Sequence, residues 1–189
     1  IAAHVVASAV REANDKGLEL ALALPISRSA WYLGKLIGFA CAGALLAALF
    51  GLLLLAWAAP APLLAWVLSL AAEAALVAAA ALFFASALGQ TVTAIAATAG
   101  LYLLARSISA IQAIAGGPLA GDSLVGQTAH LLVDALGLLL PRLDGVASGD
   151  WLLYGAPPTV QLAQSLAGLS LYVVLLAAAG LFDINRRNL

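Results

Sequence analysis

Charged side chains are scarce in this sequence. Asp, Glu, Lys and Arg make up 9% of its 189 residues, whereas 65% are hydrophobic and the mean hydropathy is +1.09. Roughly a quarter of the residues of a soluble domain are charged. The composition therefore excludes a soluble domain and predicts a polytopic membrane protein. The formal net charge of -1 favours neither an acidic nor a basic partner, and we expect no nucleic-acid partner.

Cysteine is almost absent as well. The single Cys41 lies in an apolar run, so the chain cannot form an internal disulfide. Cysteine usage therefore says nothing about the redox compartment.

The sequence patterns of nucleotide binding and catalysis are also missing. Gly34-Lys35 is followed by Leu36 and lacks both the upstream glycine spacing and the Ser or Thr of a phosphate-binding loop. An intramembrane protease would need Ser with His, or paired Asp residues, at membrane depth, and the sequence places neither there. We therefore expect no catalytic residue and no cofactor in this chain. If nucleotide hydrolysis drives transport by this protein, another chain must bind the nucleotide.

One His and Asp pair has a spacing that suits metal ligands. His130 and Asp134 are four residues apart on a predicted outer helix. Two ligands do not make a metal site, and residues at this spacing are neighbours on one helix face. A local hydrogen bond is the favoured interpretation, so no metal is expected.

The charges that are present concentrate in residues 11–35. This segment holds Arg11, Lys16, Arg28 and Lys35, four of the eight Lys and Arg residues. Cytoplasmic loops of membrane proteins are enriched in Lys and Arg. The pattern therefore predicts a cytoplasmic segment.

Residues 11–24 carry conflicting signals. Their leucines alternate with period two, yet Ala, Leu and Glu favour helix. A lone strand beside a membrane would leave its backbone groups unpaired, so we predict a helix lying against the membrane. Pro25 should end it, and Ser27 or Ser29 can cap the next helix.

The remaining chain predicts an all-α transmembrane bundle with a cytoplasmic coupling helix and outer re-entrant or interfacial helices. Each predicted span has about the 20 apolar residues that a bilayer requires. The apolar run 131–140 is too short to cross, so it is expected to stay on the outer side. The predicted segments are 1–10 (the end of a span whose beginning is missing), 11–35 (cytoplasmic), 36–58, 63–88, 92–114 and 160–182 (spans), 115–159 (outer, with short helices) and 183–189 (cytoplasmic tail).

The distribution of positive charge sets the orientation. Six Lys and Arg residues fall on the predicted inner side, Arg142 on the outer side and Arg106 within a span. This distribution predicts a multi-pass protein of the cytoplasmic (inner) membrane whose C-terminus is cytoplasmic. Trp31 and Tyr32 are expected in the aromatic belt at the entrance of the first complete span.

Small residues predict a close helix contact in that span. Gly34, Gly38 and Ala42 recur at every fourth position, which allows the backbones of two membrane helices to approach.

Two ionisable residues fall within predicted spans. Glu73 lies near the middle of 63–88 and Arg106 lies on the next span, at a depth within roughly 5 Å of that of Glu73 at the helical rise per residue. An intramembrane charge is costly and is usually paired. Three interpretations stay open: a structural ion pair, a protonated Glu73 facing protein, and a substrate or proton site.

The order of features resembles the membrane-spanning subunit of a type 2 ABC exporter. Within that family it is most similar to the small six-helix permeases that are often encoded near systems maturing multicopper enzymes. The resemblance extends over essentially the whole chain. It is carried by Arg11-Glu12, KGLEL (16–20), LPISRSAWYLGK (24–35), QTVTA (90–94), LLPRLDGVASGDWLLYG (139–155) and GLFDINRRN (180–188).

This resemblance implies a set of partners and a coupling site. Two ATP-binding cassette subunits would carry ATP and Mg, and a second permease subunit, expected to be another copy, would complete the transporter within membrane lipid. The helix after Arg11 would be the coupling helix, and residues 116–159 would supply the outer re-entrant helices. The implied ATPase-coupling residues are Arg11, Glu12, Asp15, Lys16 and Glu19.

Two other functions are compatible with the sequence. A secondary transporter or channel would use Glu73 and Arg106 as its own coupling site. A non-transporting membrane assembly factor would need no polar path. No predicted span carries a row of charges or aromatic residues that would select one class of cargo.

Overall fold

The described residues fold entirely into helices and connecting turns. The computed structural model describes residues 1–14, 27–115 and 124–186. These ranges contain seven α-helices and no strand, which confirms the predicted all-helical class. The helices are α1 (Ala2–Asn14), α2 (Arg28–Leu54), α3 (Pro60–Leu88), α4 (Thr91–Ala115), α5 (Leu124–Leu139), α6 (Asp150–Tyr154) and α7 (Thr159–Arg186).

Four of these helices, α2, α3, α4 and α7, are long and apolar enough to cross a membrane. Many of their large hydrophobic side chains face outward; Leu52 and Leu53, for example, are each 67% exposed. A soluble monomer rarely exposes apolar surface on this scale. Length and exposure together indicate a membrane protein. Compared with the predicted span 36–58, α2 begins earlier, at Arg28, and ends at Leu54.

Local sequence signals set the helix ends. The Ser27 side chain accepts a hydrogen bond from the Ala30 backbone N–H at 3.2 Å and caps α2, as predicted for Ser27 or Ser29. Pro60 occupies the first turn of α3, where its missing N–H costs no helical hydrogen bond. Gly89 ends α3 with φ of 65°, a left-handed conformation that glycine adopts without strain. The predicted minimal turn at residues 89–91 is therefore present.

Helix α3 lies at the centre of the bundle. It packs against α1, α2, α4, α6 and α7, and it has twelve buried residues, whereas α2 has five, α4 four and α7 three. Its middle contains the run 78–81, four alanines that are all buried. Small side chains let several neighbours approach one helix closely.

The close contact between α2 and α3 falls on different glycines from those predicted. A Cβ at Gly43 would lie 2.8 Å from the Cβ of Ala74, and a Cβ at Gly51 would collide with Val67. Gly34 and Gly38 instead have open space around them within the described chain. The predicted close contact of this face of α2 is therefore not made within the described chain, and it stays a prediction for a contact with another helix.

Helix α1 is embedded in the bundle near its beginning. Val5 and Val6 are fully buried in a cluster that includes residues of α2, α3, α4 and α7. The His4 ring meets the Phe39 ring edge to face, with 6.3 Å between the centroids. The helix continues past the predicted boundary at residue 10 and ends at Asn14.

The two ends of the bundle differ in charge. Because the four long helices alternate in direction, the end of α1, the start of α2 and the end of α7 meet at one end, which we call the charged end. Arg11, Arg28 and Arg186 lie there. Helices α5 and α6 connect α4 to α7 at the opposite end, together with Arg142.

The two aromatic residues predicted for the membrane interface have different surroundings. Tyr32 has no exposed surface and packs against Gly180 of α7. Trp31 is half-buried, and the Lys35 ammonium lies 4.5 Å from the centroid of its ring. The expectation of an interfacial belt is therefore wrong for Tyr32, because its ring fills a space that the missing side chain of Gly180 leaves open.

Candidate functional site

Glu73, near the middle of α3, is bonded by two side chains of α4. It is 6% exposed. The Tyr102 hydroxyl donates a hydrogen bond to Glu73 Oε1 at 2.8 Å, and Arg106 Nη1 lies 3.3 Å from the same oxygen. Tyr102 and Arg106 are one helical turn apart, so they share the face of α4 that meets α3. The structure thus brings the two predicted ionisable residues together.

Arg106 also contacts the chain that follows α5. Its Nη1 donates to the Leu143 carbonyl at 3.0 Å and to the Val146 carbonyl at 3.2 Å. One guanidinium nitrogen has two hydrogens, so the three acceptors around Nη1 must share them. We call Glu73, Tyr102, Arg106 and these two carbonyls the Arg106 clamp. The clamp joins α3, α4 and residues 143–146.

Leu143 and Val146 belong to the bundle interior, whereas Asp144 and Gly145 between them are exposed. Leu143 and Val146 have almost no exposed surface, and they form an apolar cluster with residues of α3, α4 and α7. The Leu143 N–H also donates to the Ala105 carbonyl at 3.2 Å. The following Ala147 has φ of 51°, a region that L-residues seldom occupy. Hydrogen bonds and burial together hold this segment against α4.

The geometry of the clamp suits an ion pair with a structural role. The Glu73 carboxylate receives a cation and a hydroxyl, and the Arg106 cation receives a carboxylate and two carbonyl oxygens. A buried charge is tolerated when it is paired and hydrogen-bonded. The Arg106 side chain is still 39% exposed, so the site can be reached from one side. Of the three sequence interpretations, the contacts favour the ion pair.

Helix α5 has a polar contact of its own. Asp134 Oδ1 of α5 accepts a hydrogen bond from Gln112 Nε2 of α4 at 3.4 Å. The His130 side chain, its predicted neighbour, lies outside the described residues. Over residues 1–14, 27–115 and 124–186, no group of three His, Cys, Asp or Glu side chains could hold a metal ion.

The predicted coupling residues lie at and beyond the end of α1. Arg11 is exposed in the last turn of this helix. Glu12 belongs to the same turn by its backbone, while its side chain is not described. Asp15, Lys16 and Glu19 lie outside the described residues, as does the rest of the predicted coupling helix up to Leu24.

Sequence reasoning missed three members of the clamp. Tyr102 had a usable signal, because it precedes Arg106 by one helical turn and faces the same neighbour. The sequence contains no signal for the carbonyls of Leu143 and Val146, because every residue carries a backbone carbonyl. Only the path of the folded chain decides which carbonyls reach Arg106.

Tyr102→Phe should lower the free energy of unfolding by about 1 kcal/mol, the usual net value of one intramolecular hydrogen bond. The change removes the hydroxyl that bonds Glu73 and leaves the ring in place. Unfolding in detergent micelles would measure it. Tyr154→Phe is the matched control, because Tyr154 is 87% exposed. A Tyr102→Phe variant no less stable than this control would contradict the prediction.

Comparison of the chain with models of known protein families, with curated proteins and with solved structures found no match.

Proposed function

We propose that this chain is the membrane-spanning permease subunit of an ATP-binding-cassette transporter. It would move its substrate across the cytoplasmic membrane with ATP hydrolysed on separate subunits. A second copy of the chain would complete the pathway, and residues 11–24 would receive force from the ATPase at the charged end. The motifs of the sequence suggest this function, and the arrangement of the bundle supports it.

The observation that carries the proposal is the Arg106 clamp. It ties the segment between α5 and α6, which connects two long helices at the end opposite to the charged end, to both α3 and α4. Any sliding of α3 against α4 must change the distances around Arg106. A movement started at the charged end would thus reach the opposite end through one side chain, as alternating access requires.

Helix α1 provides the mechanical connection at the charged end. Val5, Val6 and Val10 anchor it among the long helices, and its last turn carries Arg11. A push on Arg11 or Glu12 would be transmitted to α3 and α4, which both pack against α1. In the proposed mechanism Asp15, Lys16 and Glu19 extend this docking surface toward the ATPase.

The test measures ATP hydrolysis by the ATP-binding-cassette subunits that co-purify with the full-length permease, in nanodiscs with and without that permease. We expect the permease to stimulate hydrolysis. Reversing two charges, Glu12→Lys with Glu19→Lys, should return hydrolysis to its basal rate. The matched control is Asp150→Lys, a charge reversal at an exposed residue of α6 that lies outside the clamp, which should leave stimulation unchanged.

Two results would overturn the proposal. The first is equal stimulation by the Glu12→Lys, Glu19→Lys variant and by the unaltered protein, which would remove these residues from coupling. The second is substrate movement in vesicles under an ion gradient without any ATPase, which would identify a secondary transporter. In that case Glu73→Gln should abolish transport.

A further inference from the structure

An open groove lies beside the clamp, between the chain that follows α5 and the first half of α7. Its volume is about 390 Å³, within the range of small-molecule binding sites. The lining residues are Gly137, Leu140, Pro141, Arg142, Gln164, Ser165, Gly168, Leu169 and Tyr172. We infer that this groove binds the headgroup of an anionic phospholipid.

The groove has an apolar base and a polar edge. Leu140, Pro141 and Leu169 are buried and form the base. Arg142 and Gln164 are exposed at the edge. An apolar cleft with a few polar groups at defined positions is the usual design of a site for a small amphiphile.

The positive charge of Arg142 favours a phosphate group as the ligand of the groove. The Arg142 side chain is exposed and makes no hydrogen bond or ion pair within the described part of the chain. The Gln164 side chain, on the facing helix, likewise has no described partner. A guanidinium group binds a phosphate through two parallel hydrogen bonds, and the amide of Gln164 can donate a third. Both donors line the same groove, so both are available to a phosphate bound in it.

The surface next to the groove favours a lipid over a soluble phosphate. Leu171 and Leu175 follow Gln164 and Gly168 along the same face of α7 at helical spacing. They are 58% and 54% exposed. An acyl chain attached to a headgroup at Arg142 would lie along these residues and bury them. A free anion would leave that apolar surface uncovered.

The site does not depend on ATP-driven transport, and it differs from the Arg106 clamp. The two are neighbours, because Leu169 belongs both to the groove and to the apolar cluster with Leu143 and Val146. A lipid in the groove would therefore support the segment that the clamp holds.

The experiment measures phospholipid retention by native mass spectrometry. The full-length protein is purified from vesicles containing equal amounts of phosphatidylglycerol and phosphatidylcholine. We expect preferential retention of one phosphatidylglycerol. Arg142→Gln should weaken this retention about tenfold or more, while Arg186→Gln, which removes a charge at the charged end, should not affect it.

A second variant tests the cavity without altering charge. A Cβ at Gly168 would meet no atom within 4 Å, so Gly168→Leu can fill the groove without disturbing the helix and should also reduce retention.

Equal retention of the two lipids by the unaltered protein would overturn the inference, and so would unchanged retention by Arg142→Gln. Equal protection against thermal unfolding by glycerol phosphate and by phosphatidylglycerol would assign the groove to a soluble anion instead.

Discussion

Arg106→Gln should lower the free energy of unfolding by about 3 kcal/mol, because it leaves a buried carboxylate without its cation. The change also removes the donor shared by the Leu143 and Val146 carbonyls. Glu73→Gln should have a smaller effect, since Arg106 would keep both carbonyls. The double variant should lose less than the sum of the two single losses, by about 1 to 2 kcal/mol, as expected for residues in direct contact.

Unfolding in detergent micelles titrated with SDS would measure this cycle, with the fluorescence of the four Trp residues as the signal. Asp144→Asn is the matched control, because it removes an exposed charge from the segment that the clamp holds. It should change the free energy of unfolding little. Additive losses at Glu73 and Arg106 would contradict the clamp.

Limited proteolysis gives the same variants a second readout. Trypsin cleaves after Arg142, but the next residue, Leu143, is fully buried and bonded to α4. Arg106→Gln should release this segment and accelerate cleavage there. Glu73→Gln should accelerate it less, because the bonds from Arg106 to the carbonyls remain. Equal cleavage rates in all variants would show that Arg106 does not hold the segment.

Gly180→Ala should destabilise the protein by about 2 kcal/mol, within the range observed when extra atoms are forced into a packed core. The added Cβ would collide with the Tyr32 hydroxyl and press against its ring. Tyr32 has no exposed surface in which to move. The same unfolding assay would measure the loss.

A second substitution and a control support this prediction. Tyr32→Phe removes the colliding oxygen, which has no hydrogen-bond partner among the described residues. It should therefore restore part of the stability of Gly180→Ala. Gly168→Ala is the matched control on the same helix, where the Cβ has open space, and it should be neutral or stabilising by up to about 1 kcal/mol through helix propensity. Similar stability of the two alanine variants would refute the close contact.

Much of the architecture follows from local sequence signals. Long apolar runs predicted the four helices that can span a membrane, because a spanning helix must satisfy its own backbone and present apolar side chains to lipid. Ser27 and Gly89 marked helix boundaries through the hydrogen bond and the backbone conformation that those positions require. The predicted common depth of Glu73 and Arg106 came from counting residues along two adjacent helices.

The sequence did not predict which side of each helix faces the rest of the protein. Hydropathy does not distinguish a leucine facing lipid from one facing protein, because both surroundings are apolar. Tyr32 was therefore assigned to the interface, whereas it packs against Gly180. For the same reason, the sequence did not indicate that Gly43 and Gly51 are the glycines of α2 that meet α3.

The sequence by itself determined the all-helical class, the four helices long enough to cross a bilayer and the shortage of charge that calls for lipid around them. Only the tertiary structure decided that α3 is central, that Tyr32 faces inward and that Arg106 holds the carbonyls of Leu143 and Val146. The reason is physical: composition and spacing act along the chain, whereas a shared donor or a gap left by glycine exists only when distant segments meet.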